Sequence, residues 1–490
     1  MTTTESSNQA FEVDWLLAQP GTQPAQHGAR IDIANERITA LAPIPPTGNK
    51  LIGLPGLCNA HDHARAIRAT ALGGFDKPLE SWLMYLGVIP GVDAYVAAAS
   101  SLARSALRGA GRVMIHYTRQ QGLVDPITEA QQVAKAARDV GVQVGFAVAM
   151  RDRNNLAYAD DTAVLAALPA ALRTRVGARF GKPPLPANEQ LAQADAIAAA
   201  CHGPGFNVQY GPTGVQWCSD ALLRAIAEAS ASNHRQVHMH MLETRYQREW
   251  ADHHLPQGII RYLHDIGFLS PRLTLAHCTY CTPEELELIA ASGARIAVNT
   301  GSNLGLRSGI APVAQMLAAG CKVAMGLDGL SLDEDDDALR ELRLLHHLHK
   351  GWGYDIKLSH AQAWRIACEQ GRHSISGVET SDAITTGGLA DLLILDGDSL
   401  MEDRLFDDVD VLDYVLARAT AAHIKRVVVS GKTIVEDGRV LGVDYPALMA
   451  ELMSTLRAAL DPADTWRASV SAMDGELAKL YHQHGGPMCC

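Results

Sequence analysis

Six side chains in this 490-residue chain have the types and spacing to act together: His61, His63, His240, Glu243, His277 and Asp328. His61 and His63 end the run Leu54-Pro55-Gly56-Leu57-Cys58-Asn59-Ala60-His61-Asp62-His63. Read as a strand, this run turns His61 and His63 to one face and Asp62 to the other, because side chains alternate. Two imidazoles on one face can grip one metal ion. A hydrogen-bonded pair of core histidines is the other reading of an H-x-H taken alone. A second cluster is His238-Met239-His240-Met241-Leu242-Glu243, where His238 and His240 again share a face. His277 closes a third apolar run and Asp328 a fourth. Imidazole nitrogens and carboxylate oxygens are ligands for a divalent cation, and carboxylates also carry protons.

These groups need a scaffold that brings four distant strand ends to one place. Strand texture occurs at Leu54–His63, Arg112–Thr118, Val142–Arg151, Phe206–Pro212, Gln236–Glu243, Leu273–Cys278, Arg295–Gly301 and Lys322–Gly329. Between these runs lie amphipathic, Ala-rich stretches such as Tyr95–Arg108, Ile127–Asp139, Glu189–Ala200 and Ser219–Ala231. Strands alternating with helices predict a parallel sheet. Eight of them predict a (β/α)8 barrel, an α/β fold whose chemistry sits at the C-terminal ends of its strands. The six residues fall at those ends, so the joint signal exceeds that of any one motif.

Before the barrel, residues 1–53 carry short strands broken by Pro and Gly, such as Arg37-Ile38-Thr39-Ala40-Leu41. After it, residues 385–445 return to strand texture, including a hairpin at Val427–Gly438 with a Gly-Lys turn. These late strands have no barrel partners left, so they are expected to join the N-terminal strands in one small β-sandwich flanking a barrel of residues 54–384. Residues 446–490 read as a helical extension that packs on the barrel or on another subunit.

Composition narrows the function classes. The chain is 47% hydrophobic and 20% charged, with a formal net charge of −12. Such an acidic balance disfavours nucleic acid and anionic membranes as partners. No apolar run approaches the roughly 20 residues of a membrane span, and the polar segment Met1–Ala10 reads as a disordered lead-in and not a signal peptide. The nine cysteines are scattered and odd in number, which fits buried thiols in a reducing cytoplasm. Cys278 and Cys281 form a C-x-x-C without a matching second pair, and Cys489 and Cys490 read as an exposed tail.

Several motifs run in order along the chain: Pro-Gly-Leu-x-Asn-x-His-x-His ending at His63, Leu79-Glu80-Ser81-Trp82-Leu83, His238-x-His240-x-x-Glu243-Thr244, and Ala276-His277-Cys278. Then come Ser302-Asn303-Leu304, Gly309-Ile310-Ala311-Pro312-Val313, Met325-Gly326-Leu327-Asp328-Gly329, Gly388-Leu389-Ala390-Asp391-Leu392 and Val429-Ser430-Gly431-Lys432. In these the sequence resembles the amidohydrolase superfamily, in particular its mononuclear-metal branch of cytosine, guanine and adenosylhomocysteine deaminases and triazine chlorohydrolases. The resemblance spans about residues 51 to 440. It implies that His61, His63, His240 and Asp328 hold one divalent metal, with zinc or iron usual and cobalt or manganese able to substitute. It implies one ion only, because Phe206–Pro212 lacks the lysine that bimetallic branches carboxylate. Glu243 would protonate the substrate nitrogen, Asp328 would take a proton from a water whose pKa the metal lowers, and His277 would orient that water or stabilise the oxyanion.

Trp82, His116, Tyr117, Arg151, Trp217 and Asn303 are the candidate substrate contacts, from their places in loops or at strand ends. His238 reads as a packing or supporting neighbour of the ligands. His346, His347 and His349 read as a solvated helix surface, and Asp333-Glu334-Asp335-Asp336-Asp337 as charges that complement a helix N-terminus. Leu327 replaces the family's usual threonine, and Val298-Asn299-Thr300 replaces a histidine-asparagine-proline run, which points to a less polar substrate. The expected activity is hydrolysis of a C–N bond in a small planar molecule, foremost deamination of an N-heterocycle. Cleavage of an amide, carbamate or urea, or a triazine-type dechlorination, is the alternative at the same centre. A binding protein without turnover is the rival of another class, and the complete residue set speaks against it. Relatives are commonly dimers or larger, so a homo-oligomer is expected.

Overall fold

The structure, a computed structural model, describes residues 8–180, 183–381, 383–460 and 466–483. Strand β1 (Gln9–Leu16) pairs antiparallel with β2 (Gln26–Ala34), and β2 with β3 (Arg37–Pro43). Strand β4 (Leu51–Pro55) runs parallel to β1. At Gly56, whose N–H bonds to Asp391 O, the chain leaves this sheet and starts the barrel.

The barrel is β5 (Leu57–Asp62), β6 (Ala110–Tyr117), β7 (Gln143–Met150), β8 (Phe206–Pro212), β9 (Val237–Met241), β10 (Leu273–His277), β11 (Arg295–Val298) and β12 (Lys322–Met325). All eight follow sequence order in one parallel sheet. The two ends meet where Asp328 N–H bonds to His61 O at 2.8 Å and Leu327 N–H to Asn59 Oδ1 at 2.9 Å. Small side chains face inward near this seam, where Ala60, Ala297 and Ala324 form their own cluster. The other end is plugged by the helix His360–Ser376, which lies across β5, β6, β7 and β12. Its Ile375 packs on Cys58, Met114 and Ala147, and a Cβ at Gly371 would stand 2.6 Å from that of Cys58. Only glycine lets the helix approach so closely.

The expected strand Leu54–His63 is therefore two strands in two sheets. Periodicity cannot reveal that break, because the residues on both sides of it, Leu54, Pro55, Leu57 and Cys58, are buried and apolar alike. The other expected strands are trimmed, and the end of Arg295–Gly301 becomes the helix Thr300–Gly305.

A hairpin, β13 (Gly351–Trp352) and β14 (Asp355–Ile356), projects beyond the barrel. Then β15 (Leu392–Asp396), β16 (Ile424–Val429), β17 (Lys432–Glu436) and β18 (Arg439–Val440) complete the first sheet, in the order β18-β17-β16-β15-β4-β1-β2-β3. Ser430 and Gly431, both at positive φ, turn β16 into β17. Ile31, Ile33 and Ile38 share a core with Leu392, Ile394 and Val428, so the sheet folds back on itself, as expected for a sandwich built from both chain ends. Gln9 and Ala10 already belong to β1, whereas residues 1–7, like Cys489 and Cys490, lie outside the described residues. Asp391 ties the sheet to the barrel through Arg112 Nε at 2.6 Å and Arg372 Nε at 3.6 Å. Removing the carboxylate would strand two buried cations, at a cost of about 3–5 kcal/mol.

Past the sheet, helix Tyr445–Ala459 packs on Ala94–Leu107. Helix Trp466–Gln483 buries Trp466, Val470, Met473, Leu477 and Tyr481 against helices Leu79–Tyr85 and Ala170–Phe180. Its apolar spacing of three and four is that of one helix face.

Candidate active site

The C-terminal ends of the barrel strands deliver His61 and Asp62 from β5, His116 and Tyr117 from β6, His238 and His240 from β9, and His277 from β10. His63 and Asp328 lie one and three residues beyond their strands. Here the backbone bends sharply: Ala64, Leu242, His277, Cys278 and Asp328 all have positive φ, between 47° and 76°. Each such residue costs of the order of 1 kcal/mol and persists only where its surroundings over-determine it. One such constraint is Gly326, where a Cβ would come 2.8 Å from that of His61. Leu and Met in its place would push the first ligand strand away.

The imidazoles are oriented by their far nitrogens. His63 Nδ1 lies 2.7 Å from His116 O, and His240 Nδ1 lies 2.8 Å from Thr213 O. A carbonyl only accepts, so both Nδ1 atoms carry the proton and both Nε2 atoms present lone pairs. Those two Nε2 atoms face each other at 3.4 Å, and Asp328 Oδ1 is 3.0 Å from His63 Nε2 and 3.3 Å from His61 Nε2. His61 Nε2 and Asp328 Oδ1 are buried without a hydrogen-bond partner. Acceptors converging with no donor between them fit a cation. His61, His63 and His240, and likewise His61, His277 and Asp328, have ligand atoms within 4.8 Å of one another. The residues present therefore suit one divalent ion.

His238 stacks on His61, with its Nε2 2.7 Å from His61 Nδ1. It thus orients His61 from behind. Burial pushes His63 down to about 3, aided by the nearby Arg65, and His277 down to about 4. Neutral imidazoles are the form that binds metal. Burial also opposes the charge on Asp328, but the adjacent His61 and His63 hold this carboxyl well below its ordinary range. Ser302 Oγ donates to its Oδ2 at 2.7 Å. Glu243 goes the other way: burial, then Asp328 and Glu80, push it well above the usual carboxyl value. His277 Nε2 is 3.7 Å from Glu243 Oε2 and 3.9 Å from Asp328 Oδ2, while its Nδ1 meets Asn303 Oδ1 at 2.9 Å.

Above this cluster lies a cavity of about 150 Å³, lined by His63, His240, Glu243 and Asp328 at its floor. Trp82, Arg151 and Trp217 line its walls. Trp82 stands on the helix Leu79–Tyr85 and not in a loop. His116, Tyr117 and Asn303 are elsewhere. His116 is buried beneath, stacked on His240, with Nε2 on Gly211 O. Tyr117 turns outward and donates to Glu129 Oε1 at 2.7 Å, because it alternates with His116 along β6. Asn303 holds His277.

Three wall residues were not expected from sequence. Glu80, within the Leu79–Leu83 motif, accepts from Tyr158 OH and Thr244 Oγ1, each at 2.7 Å. Tyr158 comes from the long segment between β7 and β8. Tyr481 arrives from the last described helix, and its buried hydroxyl has no partner. The motif could have flagged Glu80, but nothing local marks Tyr481. Two surface readings also change. His346 and His349 are buried and only His347 is exposed, since residues three apart share a helix face. Asp337 does cap the helix Ala338–His349, but Asp333 and Asp336 are buried.

The family model for the amidohydrolase family matches residues 52–434. The chain is 25% identical to a 5-methylthioadenosine/S-adenosylhomocysteine deaminase of Dictyoglomus thermophilum, over 82% of this chain and 86% of that protein. It is 28% identical to a 5'-deoxyadenosine deaminase of Methanosarcina barkeri over 50% of this chain and 56% of that protein. Among solved structures, a zinc-bound adenosine deaminase from Xanthomonas campestris superposes with a TM-score of 0.74 at 20% identity, covering 94% of this chain and 98% of its own. An atrazine chlorohydrolase from Arthrobacter aurescens, complexed with zinc, gives 0.73 at 20% identity, covering 91% and 98%. With the family model matching most of its length and the same fold in these neighbours, this chain belongs to the amidohydrolase family.

Proposed function

We propose that this metal-dependent hydrolase releases ammonia from an amino-bearing nitrogen heterocycle, with His61, His63, His240 and Asp328 holding one divalent ion, zinc by preference. The observation that carries the metal reading is the convergence of Nε2 lone pairs from His63 and His240 on the Asp328 carboxylate. The names of the sequence relatives, deaminases of adenosine derivatives, support the heterocycle.

A bound divalent ion supplies Lewis acidity that makes water a nucleophile near neutral pH. The chain does the rest. Asp328, held as a carboxylate, takes a proton from the water, and Ser302 fixes its second oxygen. Burial, then Asp328 and Glu80, push Glu243 well above its ordinary value, which suits it to donate a proton to a ring nitrogen as the adjacent carbon is attacked. With Asn303 Oδ1 accepting from Nδ1, His277 turns an unprotonated Nε2 toward both carboxyl groups and orients the water between them. Glu243, its proton given to the ring nitrogen, then takes the hydroxyl proton of the attacked carbon, and Asp328 hands the water's proton to the amino group, so that ammonia leaves and both carboxyl groups return to their starting states. Trp82 and Trp217 supply flat apolar walls for a planar ring.

The described cysteines are all unpaired, which supports a reducing, cytoplasmic setting. Among the described residues no helix is long and apolar enough to cross a membrane. The exposed Trp352, Tyr354 and Ile356 on the β13–β14 hairpin support a homo-oligomer that covers them. The deciding experiment is a panel of aminopurines, aminopyrimidines, aryl amides, carbamates and ureas on the zinc-loaded protein, with ammonia and amine read separately. Ammonia from the heterocycles is expected. Release of a substituted amine without ammonia would reject deamination.

A further inference from the structure

Arg65 is a charged group of the cavity that the proposed reaction leaves without work. It follows His63 by two residues, and the left-handed turn at Ala64 swings it into the cavity beside the ligand cluster. Nη2 donates to Thr118 Oγ1 at 2.9 Å, and the guanidinium lies 5.1 Å from the Trp82 ring centre. These two contacts fix its plane. Nε and Nη1 are nevertheless shielded from solvent with no hydrogen-bond partner.

Two buried arginines elsewhere in the molecule show the usual partner. Arg112 pairs with Asp391 at 2.6 Å, and Arg295 with Glu379 at 2.6 Å. Among the described residues no carboxylate comes within ion-pair distance of Arg65. The nearby acids are engaged: Asp62 accepts from Asn59 Nδ2 and from the N–H groups of His63 and Ala64, and Asp328 accepts from Ser302. A shielded guanidinium with open donors is unfavourable until an anion or a strong acceptor arrives. Its planar fork matches a carboxylate or a charge-bearing ring oxygen.

We infer that Arg65 selects substrate by charge, binding an anionic oxygen, a ring carboxylate or a deprotonated oxo group, on the heterocycle whose amino-bearing carbon faces His63 and Asp328. The inference rests on the hydrolase reading above and narrows it to acidic heterocycles. It also tempers the expectation of a less polar substrate drawn from Leu327 and Val298, because the polarity of this cavity comes from a different strand end.

The test uses the zinc-loaded full chain and calorimetric binding of matched planar pairs: cytosine and 5-carboxycytosine, uracil and orotate, nicotinamide and nicotinate. The acidic member of at least one pair is expected to bind roughly 10- to 100-fold tighter, as one charged hydrogen-bond pair implies. Arg65→Gln should abolish that preference while leaving the neutral member's affinity within about threefold. Arg65→Lys, which keeps the charge but not the fork, should retain part of it and guards against misfolding as the cause. No preference in the wild type for any pair would overturn the inference. So would equal weakening of neutral and acidic members in Arg65→Gln. Zinc content and ammonia release, measured alongside, report on the hydrolase reading separately from the charge preference.

Discussion

The floor and the outer wall of the cavity are built in opposite ways. Floor residues sit at or just beyond the ends of parallel strands locked in register, and each imidazole is held by a neighbour at its far nitrogen: His116 O, Thr213 O, His238 or Asn303. Wall residues come from helices and connecting segments, Trp82 and Glu80 from one, Tyr158 from another, and Tyr481 from a helix beyond the residues that the family model matches. Several wall groups, including the Trp82 indole N–H, Glu80 Oε2 and the Tyr481 hydroxyl, are buried yet unpartnered. A floor whose imidazoles are each fixed from behind suits chemistry that must not move. A wall with open donors and acceptors suits recognition of what differs from one substrate to the next.

If that division is right, damage to the floor should remove activity and damage to the wall should redirect it. The largest effect is expected from Asp328→Asn or His63→Ala. Either should take metal content from near one ion per chain to near none, measured by elemental analysis, with turnover falling more than about 1000-fold. Next is Glu243→Gln, which should keep its metal and lose roughly 100- to 10,000-fold in kcat, as removal of a positioned proton donor does. A variant that loses its metal instead would move Glu243 into the ligand set. His238→Ala should be milder, weakening zinc affinity by about 10- to 100-fold in a chelator competition, since it touches only His61.

On the wall, Tyr481→Ala should leave zinc content unchanged and raise KM about tenfold for small heterocycles with little change in kcat. It should also admit bulkier substrates. A collapse of kcat with KM unchanged would show that the wall takes part in chemistry and erase the distinction. The smallest expected effect lies outside the cavity. Burial pushes His346 and His349 down to about 4, whereas an unfolded histidine titrates near 6.5. Between those values the unfolded chain binds more protons, so stability should fall as pH drops through that window. Thermal melts from pH 7.5 to 5 would read this, and His346→Gln should flatten part of the slope.

The floor was legible in sequence and the wall only in part. His61 and His63 betray themselves by period-two spacing at the end of an apolar run, and His240 with Glu243 by a fixed interval across one turn. The eight barrel strands follow chain order, so reading each strand's last residues was enough to collect the cluster. Arg151 was found for the same reason, at a strand end, and Trp82 and Trp217 from their places in segments that follow strands. Tyr117 was expected among the contacts and does not line the cavity, because alternation that turns His116 inward must turn its neighbour outward. The break at Gly56 was invisible because two buried strands in different sheets have the same composition as one. His346 and His349 misled because polar residues were read by type, although their i, i+3 spacing placed them on the buried face.

From sequence alone came the candidate metal-binding and proton-carrying side chains and the barrel that gathers them, because local period and strand order are properties of the chain itself. Only the tertiary structure decided which groups face the substrate. Tyr481 and Glu80 lie 401 positions apart in the chain yet line one cavity. Packing of a late helix against an early one sets that proximity, and Arg65 became significant only once every carboxylate around it had been assigned another partner.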